Sequence, residues 1–135
     1  MVTKATTAAT YKQRRFLTEE RQHLNRITDE QRRWRRRLEG LTQGSAYLGV
    51  AMTAETPEDR NEWLEHASVY LIYDIAPRDD TSKQVAALKV DFNADKLAAL
   101  HAECCRALAT TRTHVRKMSA EWRRQIRAAR AACTK

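Results

Sequence analysis

Residues 94–130 read ADKLAALHAECCRALATTRTHVRKMSAEWRRQIRAAR. Within them Leu97, His101, Cys104, Leu108, Thr111, Val115, Met118, Trp122, Gln125 and Ala129 recur in alternating steps of 3 and 4 residues, and Ile126 widens the same stripe. That spacing puts them on one face of a helix. Asn93 can cap its start. At 1.5 Å per residue the helix is about 55 Å long, and a stripe of that length has to be covered by another element. Working back along the chain, Leu17, Glu20, Leu24, Ile27, Gln31, Trp34, Leu38 and Leu41 repeat the pattern, with six of eight positions apolar. Glu19 and Glu20 suit a first turn after Thr18, although the helix can begin nearer Thr10. Gly40 and Gly44 read as stop signals, and residues 44–54, GSAYLGVAMTA, as a short packed helix or a buried connector.

Between the two stripes lies a strong local signal, Thr56-Pro57-Glu58-Asp59. Thr56 is an N-cap, Pro57 takes the first helical position, and Asp59 reaches back as in a capping box. The helix it starts is expected to run to about Ile75, burying Trp63, Leu64, Ala67, Tyr70, Leu71 and Ile75, with Pro77 ending it. Residues 69–75 are rich in β-formers, but a capped and periodic segment leads straight into them, which favours helix. A polar turn follows over residues 78–82, and Val85, Leu88 and Phe92 fit one short helical face. The expectation is an all-α fold: a compact helical bundle of four to five helices, two of them long with heptad stripes and antiparallel to one another. Residues 1–10 read as a flexible tail and residues 11–135 as a single domain, with Trp34, Trp63 and Trp122 as core or interface anchors.

Composition agrees with a helical chain. Its 135 residues include 21 Ala and 18 Arg but only 3 Gly and 2 Pro. Such a mix excludes a collagen, a Pro/Gly-rich disordered chain and a many-turned β-barrel. Three cysteines, two of them adjacent, make a poor disulfide framework, and the cysteines read as small buried hydrophobes of a protein in a reducing cytoplasm. The longest apolar run, residues 69–73, is far short of the roughly 20 residues a membrane span needs, and no secretory signal is visible at the N-terminus.

The net charge of +8 is unevenly spread. Residues 1–40 carry +6, residues 41–105 carry −6 and residues 106–135 carry +8. Clustered charge makes a directional field. On a helical wheel Arg112, Arg116, Arg123, Arg127 and Arg130 fall within about 60° of one another, roughly 100° from the apolar face. They form a stripe about 27 Å long. Arg14, Arg21, Arg32 and Arg36 make a similar stripe on the first helix, flanked by Arg15 and Arg33, and residues 32–37 set five arginines around Trp34. The first-helix stripe lies almost opposite that helix's apolar face. Solvated charged faces are common on helices. Here, however, Glu121 is the one acid near the longer stripe, and guanidinium forks suit phosphate. The arginines Arg112, Arg116, Arg123, Arg127, Arg130, Arg14, Arg21, Arg32, Arg33 and Arg36 are therefore the expected nucleic-acid contacts, made to phosphate and sugar, with no motif for base readout.

Catalytic motifs are missing. There is no GxxxxGKS/T, GxGxxG, GxSxG or HExxH. His101, Cys104 and Cys105 lack a fourth ligand at zinc spacing, Asp74, Asp79, Asp80 and Asp91 read as caps and turns, and His23, His66 and His114 have no nucleophile beside them. No enzyme activity, cofactor or metal is expected. The clustered acids Glu55, Glu58, Asp59, Glu62 and Glu65 serve a helix N-terminus, or meet the basic face of another copy.

In size, helical architecture and the Arg112–Arg130 and Arg14–Arg36 stripes, the chain resembles the helical small subunit of CRISPR effector complexes. That resemblance implies a non-catalytic subunit, several copies of which stack beside other protein subunits in a ribonucleoprotein and hold RNA or single-stranded DNA by its backbone. The alternative is a helical adaptor or scaffold, of the phage structural or secretion-chaperone type, that binds an acidic protein partner through its arginines and uses its heptads for association.

Overall fold

The computed structural model describes residues 4–72 and 80–134, with side chains over 18–72 and 80–133. Four α-helices account for nearly all of it: α1 (Lys4–Met52), α2 (Pro57–Tyr70), α3 (Thr81–Val90) and α4 (Ala94–Thr134). No strand occurs among the described residues. The protein is all-α, with two long helices, as the heptads predict. The helix that Thr56 starts is shorter than its expected run to about Ile75: α2 ends at Tyr70, with Leu71 as its C-cap, while Ile75 and Pro77 themselves lie outside the described residues.

The caps form as their sequences dictate. Thr56 is extended, with φ −120° and ψ 153°, and its hydroxyl accepts the Asp59 N–H at 3.1 Å. Asn93 Oδ1 accepts the Lys96 N–H at 3.0 Å and starts α4. Asp80 stands at the N-cap of α3 without a side-chain cap bond, and its carboxylate instead accepts from Gln84 Nε2 at 3.2 Å.

Gly40 and Gly44 do not stop the first helix. It runs unbroken to Met52 and absorbs residues 44–52, and the sequence tail at 4–10 falls within its bounds. Gly44 is present for another reason. A Cβ built there would lie 2.5 Å from Cγ and Cδ2 of the fully buried Leu71. The glycine lets the chain leaving α2 press directly on the α1 backbone.

The chain divides into two units. Unit 2, Trp34–Arg116, holds the main core. Leu41, Leu48 and Ala51 of α1 meet Leu64, Ala67 and Leu71 from the α2 segment, Val85 and Leu88 of α3, and Leu97, Leu100 and Cys104 of α4. Each fully buried leucine stabilises by about 1.5–3 kcal/mol. Within this unit α1 and α4 run antiparallel. Trp34 packs on His114 with ring centroids 3.9 Å apart, Arg37 Nε donates to Thr111 Oγ1 at 3.3 Å, and Gly49 faces His101. As the α1 number rises, its α4 partner falls. Lys89 on α3 pairs with Glu65 on α2, and that cation holds the Glu65 carboxyl below the usual carboxylate range. Phe92 does not join the core: it lies past the α3 C-cap, 37 % exposed, with the Arg60 guanidinium 3.6 Å from its ring centroid.

Unit 1 comprises Met1–Arg33 and Lys117–Lys135. Its buried apolar side chains, among the described residues, are Ile27 of α1 and Trp122 and Ala129 of α4. Of the three tryptophans, Trp122 is the one fully buried, while Trp34 and Trp63 are half-buried against their neighbours.

The two glycines of α1 separate a close approach from a tolerated one. Gly44→Ala overpacks Leu71 at a cost of about 1–3 kcal/mol, more than the 0.5–1 kcal/mol a helical glycine usually forfeits. At Gly49 the Cβ meets the movable His101 imidazole at 3.3 Å. Thermal unfolding is expected to show a lower Tm for Gly44→Ala and an equal or higher one for Gly49→Ala.

Candidate nucleic-acid interface

Charge follows the division into units. Unit 1 carries 14 basic and 5 acidic residues, a net +9, and unit 2 carries 11 basic and 12 acidic, a net −1. The positive charge of the chain is therefore housed on the smaller unit.

In unit 1, Arg123, Arg127 and Arg130 are exposed and, with Ile126, line a shallow groove of about 390 Å³. Their spacing on α4 puts all three on one side of the helix. None makes an ion pair among the described residues. The acid nearest the stripe in sequence is committed elsewhere. Glu121 Oε2 accepts from Arg124 Nε at 3.0 Å, Oε1 accepts from Arg124 Nη2 and from Gln125 Nε2 at 2.8 Å, and these donors hold the Glu121 carboxyl low. The same pairing raises the Arg124 guanidinium. Glu121 thus neutralises Arg124 and leaves the groove arginines uncompensated. On α1, Arg21 and Arg33 are exposed and make no ion pair among the described residues, and Arg32 stands 3.9 Å from Asp29 with both side chains largely in water. A pair so exposed contributes little.

In unit 2, Arg112 and Arg116 are exposed on α4 and Arg36 on α1. Arg112 and Arg116 make no ion pair among the described residues. The structure therefore gathers Arg123, Arg127 and Arg130 at one groove and sets Arg112 and Arg116 in the other unit. Arg14 is within the bounds of α1, and its side chain, like that of Arg15, lies outside the described residues.

Two features escape sequence reasoning. Arg37, inside the basic run, is turned inward to Thr111 and acts as a staple between helices. Trp34 is not an indole wrapped by arginines, because it packs on His114. The heptad position of Trp34 carried that signal, whereas Arg37 has no local one. Lys117, exposed on α4, adds to the positive field of unit 1.

The remaining nucleophiles differ in access. Cys104 is fully buried, and burial pushes its thiol up to about 12. Cys105 is exposed, with Sγ 3.5 Å from His101 Nε2, and Cys133 is half-buried. The cysteines are thus not uniformly core residues: a helix sends adjacent positions to different faces. Among the described residues no three of His, Cys, Asp and Glu are placed to hold a metal ion, and no helix is long and apolar enough to cross a membrane. No known protein family, curated protein or solved structure matches the chain.

The thiol geometry predicts an order of labelling. With a maleimide at pH 7, mass spectrometry should find Cys105 modified first and Cys104 modified only when the protein is unfolded. Early labelling of Cys104 in the folded protein would contradict its burial.

Proposed function

We propose that this chain is a non-catalytic structural subunit that binds the backbone of RNA or single-stranded DNA, in the manner of the small helical subunit of a CRISPR effector ribonucleoprotein. The observation that carries this reading is the +9 charge of unit 1, with Arg123, Arg127 and Arg130 exposed on one groove and no acid among the described residues paired to them. Guanidinium groups left without internal partners are a standing store of binding energy for a polyanion. Arginine favours this use over lysine because its planar fork grips two phosphate oxygens at once. The contacts fall on phosphate and sugar, so binding is weak in sequence preference and steep in salt dependence. In a cytoplasmic ribonucleoprotein, other protein subunits and further copies of the chain would hold the strand in register with it, and many weak contacts would add through avidity.

Exposed apolar residues in unit 2, Val69 at 64 % and Val90 at 90 %, favour a second reading as a helical adaptor. The two readings separate in one experiment. In fluorescence anisotropy with a labelled single strand, about four phosphate contacts give a slope near −3 in log K against log salt, from roughly −0.7 per phosphate. The double variant Arg116→Glu, Arg123→Glu is expected to bind at least about tenfold more weakly, with a flatter salt slope and unchanged helical circular dichroism. Lys83→Glu, an exposed change on α3, is expected to bind as the parent does. Equal binding by the double variant, or no binding by the parent, would transfer the arginines to a protein partner.

A further inference from the structure

Unit 2 holds two features for which the arginine reading has no use. In one, Tyr47 of α1 stacks on Trp63, His66 and Tyr70 of α2, with ring centroids 5.8, 5.3 and 5.7 Å away. The other is a groove of about 430 Å³ between α3 and α4, a volume that suits a small molecule. Residues 91–93 alone link the two helices. Each side of the groove is lined at positions i, i+3, i+4 and i+7, starting from Gln84 on one and Lys96 on the other. That spacing presents one face of each helix.

The chemistry of the groove changes along its length. Its middle is apolar: Leu88 and Leu100 are each 3 % exposed, and Ala87 and Ala99 are small and exposed. A leucine in place of either alanine would fill the space. The end beside the link holds Asp91 and Lys96, both exposed. Neither makes an ion pair among the described residues. Their roles at the helix ends fall to the backbone, since Asp91 N–H donates to Ala87 C=O and Lys96 N–H to Asn93 Oδ1. The carboxylate and the ammonium group thus take no part in the caps. Seven residues further along each helix, about 10 Å away, stand Gln84 and Glu103, both half-buried. A carboxylate only accepts hydrogen bonds, and the Gln84 amide adds a second acceptor oxygen.

We propose that this groove binds a free basic α-amino acid, lysine or arginine. The α-ammonium group of the ligand meets Asp91 and its α-carboxylate meets Lys96. Its methylene stem lies along Leu88 and Leu100, and its terminal cation reaches Glu103 and Gln84. An extended side chain of that length, with a hydrogen bond of about 3 Å at each end, matches the span. Charge selects this class over others. The groove carries two carboxylates and one ammonium group, a net −1, and the ligand carries +1. A diamine would leave Lys96 unanswered, a fatty acid would face two carboxylates, and an apolar amino acid would put nothing cationic at Glu103. No groove residue belongs to the arginine interface, so the proposal holds whether or not the chain binds nucleic acid.

The test is an NMR titration of the isotope-labelled full chain with lysine and arginine at about 50 mM salt. Saturable shifts of the α3 and α4 amides around the groove are expected, with a Kd of about 1 mM or tighter. Norleucine lacks the terminal amine, lysine amide lacks the carboxylate, and α-N-acetyl-lysine lacks the α-ammonium group. Each should bind at least about tenfold more weakly. Asp91→Lys and Lys96→Glu, both at exposed positions, should lose as much, with circular dichroism confirming that the helices persist. Ala99→Leu leaves every charge in place and should abolish binding. Glu39→Lys makes the same charge change as Asp91→Lys at an exposed position of α1 and should bind like the parent. No saturable shift up to about 10 mM lysine, equal affinity for norleucine, parental binding by Ala99→Leu, or equal loss in Glu39→Lys would overturn the proposal. Oligonucleotide binding by Lys96→Glu reads the arginine interface separately, so either idea can fail alone.

Discussion

The antiparallel seam between α1 and α4 in unit 2 governs what every other part of the chain can do. It is written in three contacts: Trp34 on His114, Arg37 on Thr111, and Gly49 against His101. The middle one is the least replaceable chemically. Thr111 is 2 % exposed, and a buried hydroxyl without a partner costs about 1–3 kcal/mol. Arg37 satisfies it from the neighbouring helix and so helps to fix the register. Once that register is set, the rotation of each helix is set as well. Leu41, Leu48, Leu97, Leu100 and Cys104 turn inward, and Arg36, Arg112 and Arg116 are left outside.

The same two helices supply both segments of unit 1, where the balance of forces differs. A pair of helices encloses little volume. The buried apolar side chains among its described residues are Ile27, Trp122 and Ala129. Most of its surface faces water and is free to carry charge. Surface guanidinium groups are screened over about 8 Å at physiological salt, so a net +9 is tolerable, although like charges at i,i+4 still oppose the helix by a few tenths of a kcal/mol. Glu121 relieves Arg124 alone. The remaining repulsion would fall on contact with an anionic surface, so unit 1 gains more from such a partner than a neutral helix pair would.

Much of the architecture was legible because its signals are local or periodic. Thr56-Pro57 and Asn93 set helix starts through bonds made within three residues, and the heptads placed Leu41, Leu97, Cys104 and Trp122 inside. What was not legible depends on tertiary partners. Gly44 resembled a stop because glycine is a common C-cap, yet its cause is Leu71, 27 residues away. Arg37 looked like its neighbours in an arginine run until Thr111 claimed it. Phe92 continued an apolar spacing past the point where α3 ends, and so left the core for Arg60. At the candidate interface, wheel geometry found the exposure of Arg112, Arg116, Arg123, Arg127 and Arg130. It could not show that Glu121 is already taken, because an i,i+3 acid competes for several arginines at once.

The distribution of rings decides what kind of contact each surface can make. Sequence-tolerant binding of single strands usually adds base stacking on aromatic side chains to phosphate contacts, at about 1–3 kcal/mol per base. The aromatic residues of unit 1 are Tyr11, Phe16, His23 and Trp122; of those whose side chains are described, Trp122 is buried and His23 exposed. The stacked rings sit instead on α2 of unit 2, beside Asp59 and Glu62. Those carboxylates repel a phosphate chain and attract a cation. The stacked rings of α2 and the arginine groove of α4 thus sit on different units, of net charge −1 and +9.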